Sequence, residues 1–331
     1  MKTATVFGGN GFIGHHIARE LKRRGYWVRT VDINEYTFGD IDYTDDYVIG
    51  DLRDEGVVTQ ALLKKGNPID ELYVLASWMG GAGVIFSGEF DDEIMYNSLS
   101  IDLNSAKCAT NIGVKKVFWS SSACCYNADL QLDPNNTGLK EYDAYPANPD
   151  SDYGFAKLTS ERIYQAFHRN KGLDVKIARF HNIFGEEGSW NNNKEKFPAA
   201  ICRKVAMAND GDEIEVWGDG LQTRTFLYVH TCVDGVMKLM SSNCVATPVN
   251  IGSSEIISIN DLTKMVIGFS GKNLKIKNVE SNALGVRGRS SNNDFVYEKI
   301  GWKPDSRLAD GMLKLFNWVN QQVINNNLLK K

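Results

Sequence analysis

The chain has 331 residues, 43% hydrophobic and 24% charged, with 41 acidic residues against 37 Lys and Arg for a formal net charge of −4. At about 150 residues per domain, this length allows two domains or one large domain with an appended lobe. The slight acidity argues against nucleic-acid binding, which needs a strongly basic face, and no apolar run approaches the ~18 residues of a membrane helix.

Thr3–Phe7 is a short apolar run that feeds directly into Gly8-Gly9-Asn10-Gly11-Phe12-Ile13-Gly14. Phe12, Ile13, Ile17 and Leu21 recur at helical spacing as far as Arg24, and Gly25 supplies the stop. Trp27–Asp32 is predicted as a second strand, Tyr47–Gly50 as a third and Leu72–Ala76 as a fourth. Lys116–Ser120 and Val175–Arg179 extend the series. Strands alternating with helices in this way predict an α/β fold, a Rossmann-like doubly wound parallel sheet with its ligand at the strands' C-terminal ends. After about residue 185 the texture changes. Residues 186–194 form a polar loop, Lys196–Ala208 a helix, Asp212–Trp217 a strand, His230–Ser241 a helix and Val249–Ile251 a strand. Ile259–Phe269 and Leu308–Val323 are amphipathic, and Leu328–Lys331 is expected to fray.

The glycine turn is the first chemical signal. Gly8, Gly11 and Gly14 permit a tight turn and bring a pyrophosphate against backbone N–H groups at the positive helix end, beside Phe12 and Ile13. Asp32 ends the next strand, where a carboxylate accepts from a ribose 2′-hydroxyl and repels a 2′-phosphate, so the expected cofactor is NAD rather than NADP. Asp51 and Leu52, after the third strand, suit the adenosine end. Tyr153 and Lys157 stand at i and i+4, on one face of a helix. An ammonium there is expected to lower the phenol's pKa, so that the tyrosine can take a hydroxyl proton during hydride transfer. Ser121 and Ser122 end the strand before it. If residues 120–126 stay extended, Ser122, Cys124 and Tyr126 share one face and Cys125 points away. The cysteines form no CxxC pair and no histidine pair has metal spacing, so a reduced, cytoplasmic protein without metal is expected. Cys108, Cys125, Cys202, Cys232 and Cys244 are expected to be buried as small apolar residues.

With these residues in hand, the sequence resembles the extended short-chain dehydrogenase/reductase family, and within it the branch that epimerises GDP-mannose at C3 and C5. The motifs are FWSSSACCY at 118–126, RFHNIFG at 179–185, KEKFPAAICRK at 194–204, WGDGLQTRTF at 217–226, VNIGS at 249–253 and GVRGRSSNN at 285–293. The resemblance implies transient oxidation at C4 by Ser122, Tyr153 and Lys157, with Cys124 as base and Lys196 as acid at the acidified neighbouring carbons. It implies a GDP-sugar held by Met79, Gly80, Gly81, Asn182, Glu195, Lys204, Gln222, Arg224 and Arg287, with Arg289 less sure than Arg287, and His181 structural. It also implies an NAD-binding domain of 1–185 to which 226–253 returns, a nucleotide-sugar lobe of 186–225 and 254–331, and a homodimer built through helices around 92–112 and 153–170. Ser77-Trp78, 84–93, Asn127-Ala128 and Asn191–Asn193 depart from the branch's pattern in loops bordering the sugar. The same redox set serves a C4 dehydrogenase or 4-keto reductase of a GDP-hexose or GDP-heptose. A 4,6-dehydratase needs an Asp–Glu pair where this chain has Ala123-Cys124.

Overall fold

The computed structural model describes residues 1–78, 81–135, 138–192, 194–281 and 285–328. Its centre is a seven-stranded sheet in the order Pro248–Ile251, Val175–Phe180, Lys116–Ser122, Glu71–Val74, Thr3–Phe7, Trp27–Asp32, Asp46–Ile49. Every neighbouring pair is parallel. Such strands carry helices on both faces and read as continuous apolar runs. Lys116–Ser122 accordingly has Val117, Phe118 and Trp119 fully buried in succession. Two cores result, one on each face of the sheet.

Chain order reverses between Thr3–Phe7 and Glu71–Val74. From there the sheet grows one way through Trp27–Asp32 and the other way through Lys116–Ser122. The carboxyl ends of these strands diverge around a crevice, which is where an open α/β sheet accepts a ligand. Gly8, with φ of +75°, makes the first turn out of the sheet. A side chain there would strike the backbone of Ala76, so glycine is required by both conformation and space.

The helices that flank the crevice begin and end on local signals. Ser151 caps Asp152–Lys171 by accepting from the Gly154 amide, and Gly172 closes it in the left-handed conformation. Asp91–Ile112 starts with three acidic residues and ends at left-handed Gly113. Phe197–Met207 has Lys196 at its cap and Pro198 in its first turn.

The remaining chain builds small sheets above the crevice. Glu213–Trp217 pairs with Lys275–Val279. Thr223–Thr225 lies between Ile256–Ser258 and Gly288–Arg289. The predicted elements recur within two residues at each end. The hairpin Leu63–Lys64/Asn67–Pro68, the strand Lys275–Val279 and the helix Asp294–Ile300 were not anticipated, being short or exposed and lacking clear periodicity. Among the described residues no helix is long and apolar enough to cross a membrane.

Candidate active site

A cleft of about 730 Å³ runs along the carboxyl ends of the strands. One end is formed by the glycine turn. Gly8, Gly11, Phe12, Ile13 and Gly14 line it, with Asp32, Asp51 and Leu52 beyond. The helix Phe12–Arg23 starts at Gly11, which has no side chain to cap it, and its first turn holds no acidic residue. Its amides and the positive end of its dipole therefore face the cleft, as an anionic pyrophosphate requires. A side chain on Gly14 would collide with the Gly8 carbonyl. Asp32 accepts from the amides of Asn10 (3.2 Å) and Asn34 (3.0 Å). Burial pushes its pKa up, and those amides oppose the shift. Asp51 is taken up by Arg53.

The other end carries the residues expected to act at C4. Ser122, Tyr153 and Lys157 line the cleft, and so does Lys196. Lys157 Nζ donates to the Ser120 carbonyl (2.9 Å) and lies 5.8 Å from the Tyr153 ring centre. The expected lowering of the phenol's pKa by Lys157 is not what the geometry gives. Burial raises Tyr153, the nearby Cys124 adds to it, and its hydrogen bond with Ser122 works in the other direction. Lys157 is itself pulled down by burial, while fully buried Asp102, held by Trp119 Nε1 at 2.7 Å, sustains its charge. Lys196 is also pulled down by crowding among protein atoms, and Cys124 opposes that shift. Its side chain nevertheless remains in contact with solvent because the cleft is open. That depression will be fully felt only when a ligand shuts out water.

Cys124 reaches this region by a different route from the one expected. The strand stops at Ser122, and Ala123–Cys125 forms a 3-10 turn in which the Cys124 amide donates to Ser122 Oγ (3.1 Å). The side chains no longer alternate. Cys125 is buried with Sγ 3.9 Å from Glu161 Oε1, and Tyr126 is buried with its hydroxyl donating to Asn250. Cys124 is half-buried beside Tyr153, Ile85 and Ile94. Its Sγ lies 3.2 Å from Nη1 of Arg289.

Arg289 is the residue that sequence reasoning undervalued. Nearly buried, it donates Nε to Gln131 and Nη2 to Asp150 (2.7 Å). Its strand partner is Arg224, so two guanidiniums stand together near the thiol. Burial pulls Arg224 down to about 9 and Arg289 adds repulsion. A guanidinium remains charged regardless, so this pair is a strong attractor for an anion. Glu161, one turn after Lys157, forms a buried pair with Arg179 and accepts from Ser121, fixing the floor beneath the turn.

The other expected sugar contacts are at present engaged within the protein. Glu195 pairs with Arg203 (2.7 Å), Lys204 donates to the Glu215 carbonyl, and Arg287 pairs with Asp219. Asn182, left-handed at φ +43°, lines the cleft and donates to the Thr225 carbonyl. Gln222 is buried with Nε2 on the Trp217 carbonyl and Oε1 without a partner among the described residues. Gly81 lies against the Glu195 carbonyl, where a side chain would crowd at 3.0 Å. Met79 and Gly80 lie outside the described residues. His181 is buried, with Nε2 2.9 Å from Asn250 Oδ1.

The model of the NAD dependent epimerase/dehydratase family matches residues 4–252. The chain belongs to this family. Among curated relatives of this NAD-dependent family, GDP-mannose 3,5-epimerase of Arabidopsis thaliana is 40% identical over 96% of this chain and 82% of its own length. GDP-mannose 3,5-epimerase 1 of Oryza sativa subsp. indica gives the same identity and coverage. Among solved structures, UDP-glucose 4-epimerase of Thermotoga maritima superposes with a TM-score of 0.85 at 21% identity, covering 97% of this chain and 99% of that one. The dTDP-glucose 4,6-dehydratase of Streptomyces venezuelae, solved with NAD bound, gives 0.83 at 20% identity, covering 98% and 99%. At such identities these structures establish the family's fold, the doubly wound sheet with a smaller mixed lobe.

Proposed function

We propose that this family member is an NAD-dependent epimerase of a GDP-hexose, close to GDP-mannose, inverting C5 and C3 by way of a transient C4 ketone. The observation that carries the reading is that Cys124, braced by Arg289, packs beside Tyr153, while Ser122, Tyr153, Lys157 and Lys196 line one cleft. The 40% identity to GDP-mannose 3,5-epimerases supports the choice of sugar and nucleotide. The uncapped helix at Gly11 and the Asp32 carboxylate fit NAD, and that carboxylate disfavours a 2′-phosphate.

NAD would accept a hydride from C4 and return it there. Tyr153 takes the C4 hydroxyl proton as the phenolate, which the Lys157 ammonium together with the positive charge of bound NAD would sustain against burial, while Ser122 holds the C4 oxygen. The ketone then acidifies the neighbouring C–H bonds. Cys124 removes the proton from one face, with Arg289 balancing negative charge on sulfur, and Lys196 delivers a proton to the other. A lysine with a depressed pKa is suited to that delivery. Arg224, Arg287 and Lys204 are assigned to the diphosphate, exchanging their present carbonyl and Asp219 partners for phosphate oxygens. We further infer a cofactor domain of 1–185 with 226–253, a sugar lobe of 186–225 and 254–331, and a homodimer. The exposed Tyr96 and Leu103 on Asp91–Ile112 and Phe155 on Asp152–Lys171 support that pairing.

The test is incubation with GDP-mannose in D2O, following C3 and C5 by NMR and nicotinamide by absorbance. Deuterium at C5, or at both positions, without net NADH supports the epimerase. Stoichiometric NADH without exchange moves the assignment to a C4 dehydrogenase or 4-keto reductase. Cys124→Ala should abolish exchange yet leave C4 oxidation measurable, and Tyr153→Phe should suppress both.

A further inference from the structure

Between the strand Ile183–Phe184 and the helix at Phe197, the chain forms one wall of the cleft through Gly185, Gly188, Ser189, Lys194 and Lys196. Near its start Glu187 adopts φ of +57°, a left-handed conformation that a non-glycine residue holds only when its surroundings impose it. The imposing groups are plain. A single oxygen, Oε2, meets His15 Nε2 (2.9 Å), Arg19 Nη1 (2.9 Å) and Tyr36 Oη (3.1 Å). The other ring nitrogen of His15 faces the Gly11 carbonyl at 2.9 Å, so this imidazole bridges the glycine turn and the wall. Glu186 adds to the fastening, its carbonyl 3.2 Å from His16 Nε2 and its Oε1 accepting from Tyr228. Gly188 rests on Phe12, where a side chain would come within 3.0 Å of the ring.

His15, His16 and Glu187 could in principle surround an ion. The Arg19 guanidinium already occupies the cation's position on the shared oxygen, so the cluster is an ion-paired fastener. The far end of the wall is fastened too. Arg203 joins Glu195 (2.7 Å) to the Trp190 carbonyl (3.0 Å), one residue before Lys196.

Resting on the role given to Lys196 above, we propose that Glu187 is a positioning residue that couples occupation of the dinucleotide site to placement of Lys196. A pyrophosphate at Gly11–Ile13 steadies the first turns of the helix bearing His15 and Arg19. These hold Glu187, and Glu187 holds the wall that ends in Lys196. Coupling of this kind is reciprocal, so loosening the wall also weakens dinucleotide binding to a matching degree.

Glu187→Ala and Glu187→Gln test it, the second keeping the side chain's shape in case the first folds poorly. With NAD as the probe, hydrogen exchange of the wall amides in 188–192 and 194–196 is compared with and without dinucleotide at saturation. In the wild type NAD should slow exchange there, and in both variants that slowing should be lost while NAD still binds. With GDP-mannose in D2O, the ratio of C5 deuteration to C4 oxidation should fall at least tenfold in Glu187→Ala, whereas a merely structural defect lowers both together. NAD-dependent protection retained in the variants, absent from the wild type, or lost uniformly across the chain overturns the proposal, as does an unchanged ratio. A wild type that oxidises C4 without deuterating C5 overturns the epimerase reading instead, and the hydrogen-exchange comparison then decides the coupling by itself.

Discussion

Replacing Arg289 by lysine separates charge from geometry at the proposed base. The guanidinium makes three directed contacts, to Cys124 Sγ, Asp150 and Gln131, in a pocket where the Arg289 and Asp150 side chains are 7% and 8% exposed. A lysine keeps one positive charge but cannot span three partners in a fixed plane. A hydrogen bond involving a charged group contributes about 1.5–3 kcal/mol. Losing the one to sulfur, at about 1.4 kcal/mol per factor of ten, slows proton exchange by roughly 10- to 100-fold. C4 oxidation, assigned in the proposed mechanism to Ser122, Tyr153 and Lys157, should change by less than about threefold, well under 1 kcal/mol. Arg289→Met is the harsher control. It strands Asp150, and breaking a buried pair from one side destabilises by about 3–5 kcal/mol. Deuterium incorporation at C5 and single-turnover absorbance at 340 nm, measured on one preparation with urea unfolding alongside, distinguish these effects. Exchange at the wild-type rate in Arg289→Lys, or equal losses in exchange and oxidation, refutes the reasoning.

Other consequences are open to direct measurement. Gly14→Ala drives a methyl into the Gly8 carbonyl and should remove NAD binding, read by calorimetric titration; normal affinity would contradict the turn described here. Asp32→Asn should narrow the preference for NAD over NADP at least tenfold in relative affinity, because the carboxylate's repulsion of a 2′-phosphate disappears. Arg179→Met, leaving the 2%-exposed Glu161 unpaired, should lower unfolding free energy by about 3–5 kcal/mol, and Glu161→Leu in the same chain should restore part of it. Burial pulls His16 and His181 down to about 3, so both are neutral in the fold and protonated in the unfolded chain below about pH 6.5. Their contribution is complete above that pH and is lost as pH falls towards 3, at up to about 1.4 kcal/mol per unit for each. Urea midpoints should therefore drop between pH 7.5 and 5.5, and less so in His181→Asn.

Local chemistry made much of this legible in the sequence. An apolar run followed by spaced glycines and then a helical apolar period has few alternatives, and Asp32 at the end of the next strand fell where expected. Tyr153 and Lys157 share a face because helical spacing demands it. The route of Cys124 to the side of Tyr153 was not legible. A hydroxyl at Ser122 that captures the Cys124 amide turns the chain, and an apolar stretch gives no warning of that hydrogen bond. Nor could the sequence join Arg289 to Gln131 and Asp150, which are distant in the chain and meet only once the small sheet docks. Spacing likewise predicted a lysine that lowers a tyrosine's pKa, but burial, a property of the assembled fold, determines the direction.

The order of the large sheet bears on how the chain is made. The outermost strand, Pro248–Ile251, completes the sheet by pairing with Val175–Phe180, some seventy residues earlier. While the polypeptide emerges from a ribosome, that six-residue edge, five of its residues buried in the finished fold, must wait, its amides and carbonyls open to any other strand. Nascent chains halted before residue 248 should be far more prone to aggregate, and more dependent on chaperones, than chains released a few residues after 251.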